Sequence, residues 1–303
     1  DSSLKKFGAN AIWTSYKLPV KKTGKIVIDS RSNKWIITPQ ENSGLLVFND
    51  KNTDIQNDDE TVIIGTNKGN GNLPTTSVND IAFTKSGELL IGTDQGFVRI
   101  RNPNNVFNGG DFDAQRIIVS VEANSNLGGY LLGSEIINCI VVDGGDRRWF
   151  GTNKGAWLYD SDGETLIHHF TKENSPLMSN NVEKIGIMES TGEVFFGTDQ
   201  GIASFRSDAL PPSNSLGKLT IYPNPVRPEY NGDIAITGTP DNTLVKITDI
   251  NGSMVYQTYS NGGMATWNGK TFDGTRCSTG VYLVFCINSD GSETTAGKIL
   301  FIN

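Results

Sequence analysis

The sequence is short of the residues that most chemistry uses. Only two histidines occur in 303 residues, and they are adjacent, at His168 and His169. Neighbours in a strand point to opposite faces, so this pair is not positioned to chelate one ion. The three cysteines, Cys139, Cys277 and Cys286, are an odd number and exclude a complete disulfide framework. Gly280–Ile287 reads as one continuous strand. At ~3.3 Å per residue it carries Cys277 and Cys286 beyond the ~4.4–6.8 Å Cα separation of a bridge. Three free thiols acting as small buried hydrophobes are expected.

Long apolar runs are missing as well, and none approaches the ~20 residues of a membrane span. Lysine and arginine number 26 against 33 acidic residues, a net charge of −7 with no basic stripe, which argues against nucleic acid as a partner. Helical periodicity is nearly absent. Instead 34 glycines separate many short strand-like runs, which points to an all-β chain. The opening DSSLKKFGAN contains no apolar leader, so an exported protein is expected here as a mature or truncated product.

What the chain does have is a repeat. Gly-Thr-x-x-Gly recurs at Gly92–Gly96, Gly151–Gly155 and Gly197–Gly201, each time between two short hydrophobic strands, and a degenerate copy lies at Lys34–Asn49. Anchors at Trp35, Leu90, Trp149 and Phe195 are 55, 59 and 46 residues apart. Self-similarity of that length is the signature of four-stranded β-propeller blades. The Asp or Asn of each turn is expected to bond the backbone two residues on, and the closing Gly to supply a positive φ. Opening strands carry Ile26/Ile28, Ile81/Phe83, Ile140/Val142 and Ile185/Ile187, which are expected between neighbouring blades. Outer strands are expected at Glu60–Gly65, Gln115–Val121 and Leu166–Phe170. The last repeat lacks one, while Ala11–Leu18 is an outer strand without a blade of its own. Either Ala11–Leu18 closes a four-bladed ring, or the chain is the latter half of a larger ring. The second is favoured, because four blades is at the low end of the propeller range, although an open half-ring then needs a partner, or truncation, to account for its edges.

Composition changes after a Pro/Ser-rich linker. The resulting division is residues 1–210 as β-propeller blades, 211–216 as linker and 217–303 as an immunoglobulin-like β-sandwich. Its six or seven strands are separated by NG, DG and GG turns, without the Cys…Trp…Cys spacing of true immunoglobulin domains. Trp267 is assigned to the core or a hairpin rather than to sugar recognition.

The remaining polar residues form a few patterns that resemble sites. GTNKGNG at Gly65–Gly71 looks like a phosphate loop but lacks the Gly-Lys-Ser/Thr ending and a following helix, so it reads as a loop between blades. Asp160-Ser-Asp162-Gly and Asn288-Ser-Asp290-Gly-Ser-Glu293 echo part of a calcium loop without its bidentate twelfth-position Glu, and read as turns. Asp143, Asp146, Arg147 and Arg148 share one turn, a candidate ligand-facing cluster for sugar or phosphate if it is not simply solvated. No catalytic residue, cofactor or metal ligand is expected.

The repeat of residues 77–103, with the copies at 135–161 and 181–207, resembles the two-component-regulator propeller repeat, in which Leu-Trp precedes Gly-Thr-x-x-Gly. Trp survives only at Trp35 and Trp149. Residues 217–303 resemble the sorting domain of the type IX secretion system of Bacteroidetes. The resemblance is carried by Tyr222-Pro223-Asn224-Pro225, Asp249-Ile250-Asn251-Gly252, Gly280-Val281-Tyr282 and Lys298-Ile299-Leu300. WNGKTFDG followed by GVYLV is also similar to the immunoglobulin-like domain of flagellar-hook-cap proteins. A propeller followed by this tail is the arrangement of the PorZ-like family of that system, whose members carry more blades than the four repeats seen here.

The resemblance implies an extracytoplasmic protein, secreted or held at the cell surface. It implies a non-catalytic accessory role in type IX secretion and cargo attachment. The partners it implies are secretion-system or surface proteins, with a glycan or lipopolysaccharide as a further ligand. The alternatives are an extracytoplasmic glycan-sensing propeller of a regulatory system and, third, a polysaccharide-active enzyme, which needs a convergent acid/base pair. Fold alone does not separate them.

Overall fold

The computed structural model describes residues 15–40, 43–53, 55–120, 128–288, 290–291 and 294–302. They are all-β, with two short 3-10 turns at Gln56–Asp58 and Pro103–Phe107. The chain forms two compact units, residues 1–137 and 138–303, so the border expected at 211–216 lies inside the second.

In the first unit, β1 (Ile26–Ile28), β2 (Lys34–Gln40), β3 (Ser43–Asn49) and β4 (Glu60–Ile64) form one antiparallel sheet in sequence order. A second sheet contains β5 (Val78–Phe83), β6 (Leu89–Thr93) and β7 (Gly96–Ile100), followed by the hairpin β8 (Ile118–Ser120) and β9 (Gly128–Tyr130). Every residue of β6 and β7 is buried, which is why LLIGT and GFVRI read as near-continuous apolar runs rather than alternating ones. Trp35, Ile37, Leu45 and Val47 from the first sheet share one core with Ile81, Leu89, Ile91 and Val98 from the second.

The second unit opens with the sheet β10 (Ile137–Val142), β11 (Arg148–Thr152), β12 (Gly155–Tyr159) and β13 (Leu166–Phe170). A three-stranded sheet follows, β14 (Val182–Met188), β15 (Glu193–Thr198) and β16 (Gly201–Arg206). Trp149 lies between the two, with ring centroids 5.6 Å from Phe196 and 6.2 Å from Phe205. The strand β15 thus turns Val194 and Phe196 into the core and leaves the expected anchor Phe195 half-buried.

The remaining strands are β17 (Ala209–Leu210), β18 (Thr220–Tyr222), β19 (Ile234–Thr237), β20 (Leu244–Thr248), β21 (Met254–Tyr259), β22 (Asn261–Gly262), β23 (Met264–Trp267), β24 (Gly280–Ile287) and β25 (Thr294–Phe301). They make a sandwich of a five-stranded sheet, β17-β22-β23-β19-β18, and a four-stranded one, β21-β20-β24-β25. Ile234, Ile236, Ala265 and Trp267 face Val245, Ile247, Val284 and Phe301 across a buried interior. Residues 211–219 carry no strand, yet β17 just before them pairs in parallel with β22 of the sandwich. All three cysteines are buried and none is in a disulfide, and burial pushes the Cys286 thiol up to about 12.

Four expectations need correction. Ile26 and Ile28 are 53 % and 62 % exposed, because β1 pairs Val27 with Trp35 and period-two alternation sends its neighbours to the other face. Gln115–Val121 is not an outer strand: a 3-10 turn and a loop intervene, only the bridge Arg99–Gln115 forms, and Ile118–Ser120 pairs with Gly128–Tyr130 instead. Ala11–Thr14 lie outside the described residues, and Ser15–Leu18 form no strand. Finally, the repeated turn is closed by threonine and not by its Asp or Asn. The Thr93, Thr152 and Thr198 hydroxyls donate to the carbonyls of Gly96, Gly155 and Gly201 at 2.7, 2.9 and 2.8 Å. Each also accepts the backbone N–H two residues on, from Gln95, Lys154 and Gln200. The closing glycines do have the positive φ expected, +97, +114 and +142°.

A second repeated device ties each anchor tryptophan to the turn before it. Asp29 accepts the indole N–H of Trp35 at 3.0 Å, and Asp143 that of Trp149 at 3.2 Å, both six residues on. Where the anchor is Leu90, the same place holds Thr84. An indole buried in an apolar core needs an acceptor, and the turn supplies it. Trp149→Ala removes the ring that joins the third and fourth sheets, and should cost about 3–5 kcal/mol in denaturant-induced unfolding. A loss under ~1 kcal/mol would mean that the two sheets pack without it.

Candidate functional site

Most of the residues expected to mark the tail, all but Asp249 and Gly252, converge at the end of β25. The chain before the sandwich's first turn, Tyr222-Pro223-Asn224-Pro225-Val226, runs beside that strand. Asn224 places its carboxamide against β25 as a substitute peptide group. Its Nδ2 donates to the Lys298 carbonyl at 2.9 Å, and its Oδ1 accepts the Leu300 N–H at 3.0 Å. Val226 then continues with true backbone pairing, donating to the Leu300 carbonyl at 2.8 Å and accepting the Ile302 N–H at 2.9 Å. The outward backbone groups from the Lys298 carbonyl to the Ile302 N–H are therefore occupied. A free edge in this stretch, which would offer donors and acceptors to an incoming strand, is not what the tail presents. Val226 was missed because nothing in an isolated valine signals parallel pairing.

Side chains of β25 divide by face. Ile299 and Phe301 are buried, whereas Lys298 and Leu300 are exposed. Tyr282 packs under the strand, with its ring edge-on to Phe301 at 5.2 Å and its hydroxyl donating to the Ser278 carbonyl at 3.1 Å. Burial, then the Cys277 thiol, raise its phenol. Gly280 opens β24, and a Cβ there would meet nothing within 4 Å. Trp267 is in the core, its indole donating to the Lys270 carbonyl at 2.7 Å. Asp249 and Gly252 stand apart, in the turn between β20 and β21. There the Asp249 carboxylate accepts the N–H groups of Asn251 and Ser253, both at 2.9 Å, and Gly252 has φ +84°.

The turn at Asp143–Arg148 is committed inward. Asp143, Arg147 and Arg148 are buried. Arg147 donates from Nε to Asp143 at 2.9 Å, and from its other nitrogens to Asp208 and to the Ser207 hydroxyl, each at 2.7 Å. Asp208 in turn accepts from Asn261 of the sandwich at 2.9 Å. Burial alone would lower the guanidinium pKa, but the two carboxylates outweigh it and raise it. Arg148 donates to the Ser161 carbonyl at 2.7 Å, and Asp146 sits at φ +59° in the turn. The cluster ties a blade turn to the sandwich.

Other candidates are likewise absorbed by the fold. His169 stacks on Trp157, and His168 lies between Phe170 and Phe205, on opposite faces of β13. Glycine N–H groups of Gly65–Gly71 do cradle an anion, but it is the chain's own Asp113, bonded by Gly69 and Gly71 at 2.8–3.0 Å. Asp160 caps its own turn through the Glu164 and Thr165 N–H groups. Ser289, Ser292 and Glu293 of the other acidic turn lie outside the described residues. One cleft of about 260 Å³ remains open beside the sandwich, lined by Arg206, Asp208, Tyr222, Tyr230 and Asp233. The Arg206 guanidinium sits 6.0 Å from the Tyr222 ring centroid.

The architecture is that of propeller-type sheets followed by a secretion-tail sandwich, and residues 220–302 carry a secretion system C-terminal sorting domain. Almost the whole chain, 96 %, is similar to PorZ, an essential bacterial surface component of the type-IX secretion system of Porphyromonas gingivalis, at 28 % identity and TM-score 0.62. The match spans 41 % of that PorZ chain. Weaker likenesses join it to the extracellular domain of a hybrid two-component system from B. thetaiotaomicron (15 % identity, TM-score 0.44, 98 % of this chain and 40 % of that one). Another is to virginiamycin B lyase from Staphylococcus aureus (13 %, 0.41, 97 % and 86 %). Neither of these bears on activity. No curated protein sequence matches. The sorting domain and the PorZ-like structure indicate an extracytoplasmic chain involved in type IX secretion. Among the described residues no helix is long and apolar enough to cross a membrane.

Asn224→Ala should expose the Leu300 N–H and the Lys298 carbonyl. We expect a loss of about 1–2 kcal/mol and faster amide exchange at Leu300 with that at Ile299 unchanged. Unaltered exchange at Leu300 would show that the side chain does not hold the strand.

Proposed function

We propose that this chain is part of a non-catalytic, PorZ-like surface component that assists type IX secretion and the attachment of secreted cargo. The reading rests on one observation above others: a sorting domain whose last strand is clasped on its backbone edge and exposes Lys298 and Leu300. What the export machinery reads is then side chains on a rigid sheet and not a free edge. The likeness to PorZ over 96 % of the chain supports the same role. The link from Asp143 through Arg147 and Asp208 to Asn261 of the sandwich supports a structural use of this blade turn.

Lys298→Glu combined with Leu300→Ser changes only exposed positions, so the fold should survive with its melting temperature within a few degrees. Surface delivery of this variant should drop about tenfold or more. Delivery in normal amount by a folded variant would sink the sorting role.

A second reading, binding of a glycan or lipopolysaccharide, is favoured by the cleft beside Tyr222 and Tyr230. Aromatic faces next to a guanidinium and carboxylates suit a charged sugar, since the rings cover its apolar face and the charged groups fix its hydroxyls and anions. Purified lipopolysaccharide should bind the wild-type chain and lose about tenfold in affinity with Arg206→Ala. Equal binding by the two proteins would remove this cleft from consideration.

A further inference from the structure

The outer face of the four-stranded sheet in the sandwich is mainly apolar and partly exposed, with Lys246, Thr248, Gln257, Thr294 and Lys298 among its apolar residues. Its register brings Val281 beside Leu300, Phe285 beside Lys246, and Tyr259 beside Leu244, across all four strands. Phe285 and Leu300 are 39 % and 41 % exposed, and Met254 and Tyr259 more so. The opposite face of the same strands holds Val245, Ile247, Val284 and Ile299 in the core. Alternation thus makes these strands hydrophobic on both faces, where a sheet with one solvated face ordinarily turns polar residues outward. Contiguous apolar surface of this kind on a secreted domain marks a contact site.

Charge on this face selects the occupant. Its paired rows contain Lys246 and Lys298 and no carboxylate. Neither lysine forms an ion pair among the described residues. A second copy meeting the face symmetrically would bring lysine against lysine with nothing to neutralise them. A lipid surface would have to accept Lys246, which stands on an inner strand between Gln257 and Phe285 and not at the rim. A protein partner with an apolar stripe bordered by Asp or Glu satisfies both features, pairing each ammonium with a fixed carboxylate while the rings and aliphatic chains pack at ~10 Å sheet spacing.

We propose that this sheet face is the docking surface of the sorting domain for a protein of the secretion machinery, one that presents an apolar stripe flanked by carboxylates. The proposal rests on the sorting reading above and names what that reading leaves open, the face used and the chemistry of its partner. The clasp on β25 explains why a face is used: with the backbone edge occupied by Asn224 and Val226, recognition falls to side chains.

The test places photoreactive benzoylphenylalanine at Val281 in the full chain, in cells that export it through a type IX system. The expected product is a crosslink to a secretion-system protein, at a peptide carrying Asp or Glu beside apolar residues. Its yield should fall about fivefold with Lys246→Glu, less with Lys246→Gln, and persist with Lys246→Arg. Crosslinking to a second copy, to lipid or to nothing overturns the proposal, as does a yield unchanged by Lys246→Glu. Normal delivery of the Lys298→Glu/Leu300→Ser variant would fail the sorting reading itself. Impaired delivery of that variant without a protein crosslink at Val281 would fail the docking face alone.

Discussion

The second unit depends on one buried guanidinium. Arg147 is held between Asp143 and Asp208, and Asp143 at the same time accepts the indole N–H of Trp149. Through these few bonds the turn before β11, the core between two sheets, the exit from β16 and the sandwich residue Asn261 are joined. Such a group is stable only while all of its partners are present. Removing one from a buried pair costs about 3–5 kcal/mol, because the charge left behind has lost its water as well. Close approach of the segments depends on glycine: a Cβ at Gly144 would lie 2.0 Å from the Leu210 carbonyl carbon. The parallel pairing of β17 with β22 occurs at this same place.

The clasp at the end of the chain solves a different physical problem. A terminal strand at the edge of a sheet frays, and its unpaired N–H and C=O groups invite other strands. Here one asparagine side chain and one valine backbone satisfy those groups in the stretch that ends the domain. The consequence is a last strand whose outward backbone groups are paired from Lys298 to Ile302 and which is yet apolar on both faces. Protection of the edge and exposure of the face are compatible because backbone pairing runs in the plane of the sheet and side chains stand perpendicular to it.

Much of this was legible in the residues. Gly-Thr-x-x-Gly announces a turn through its positive-φ glycine and flanking strands, which are local, while the bond that closes it is made by the Thr hydroxyl and not by the Asp or Asn the sequence suggests. The strand β24 covers Gly280–Ile287 as the residues implied, and none of the three cysteines is in a disulfide. The Asp-to-Trp spacing of six residues was equally present, but it takes a structure to tell a repeated bond from a repeated coincidence. Ile26 and Ile28 show the limit of alternation as a guide. The pattern identifies two faces of a strand, and it does not say which one meets a neighbour.

The sequence by itself determined the class of the protein. Strand length, turn chemistry and the tail motif depend on near neighbours, and those are written in order along the chain. Tertiary structure decided what the polar residues do. Asp143 and Arg147 look like part of a solvated cluster because they share a turn, and become a buried joint because Ser207 and Asp208, the latter bonded to Asn261, are brought to Arg147 from 60 or more residues away. Asn224 looks like a turn residue and becomes part of a strand edge, 74 residues from the carbonyl it binds. Burial and partnership are set by which distant segments meet, and no spacing within one segment encodes that.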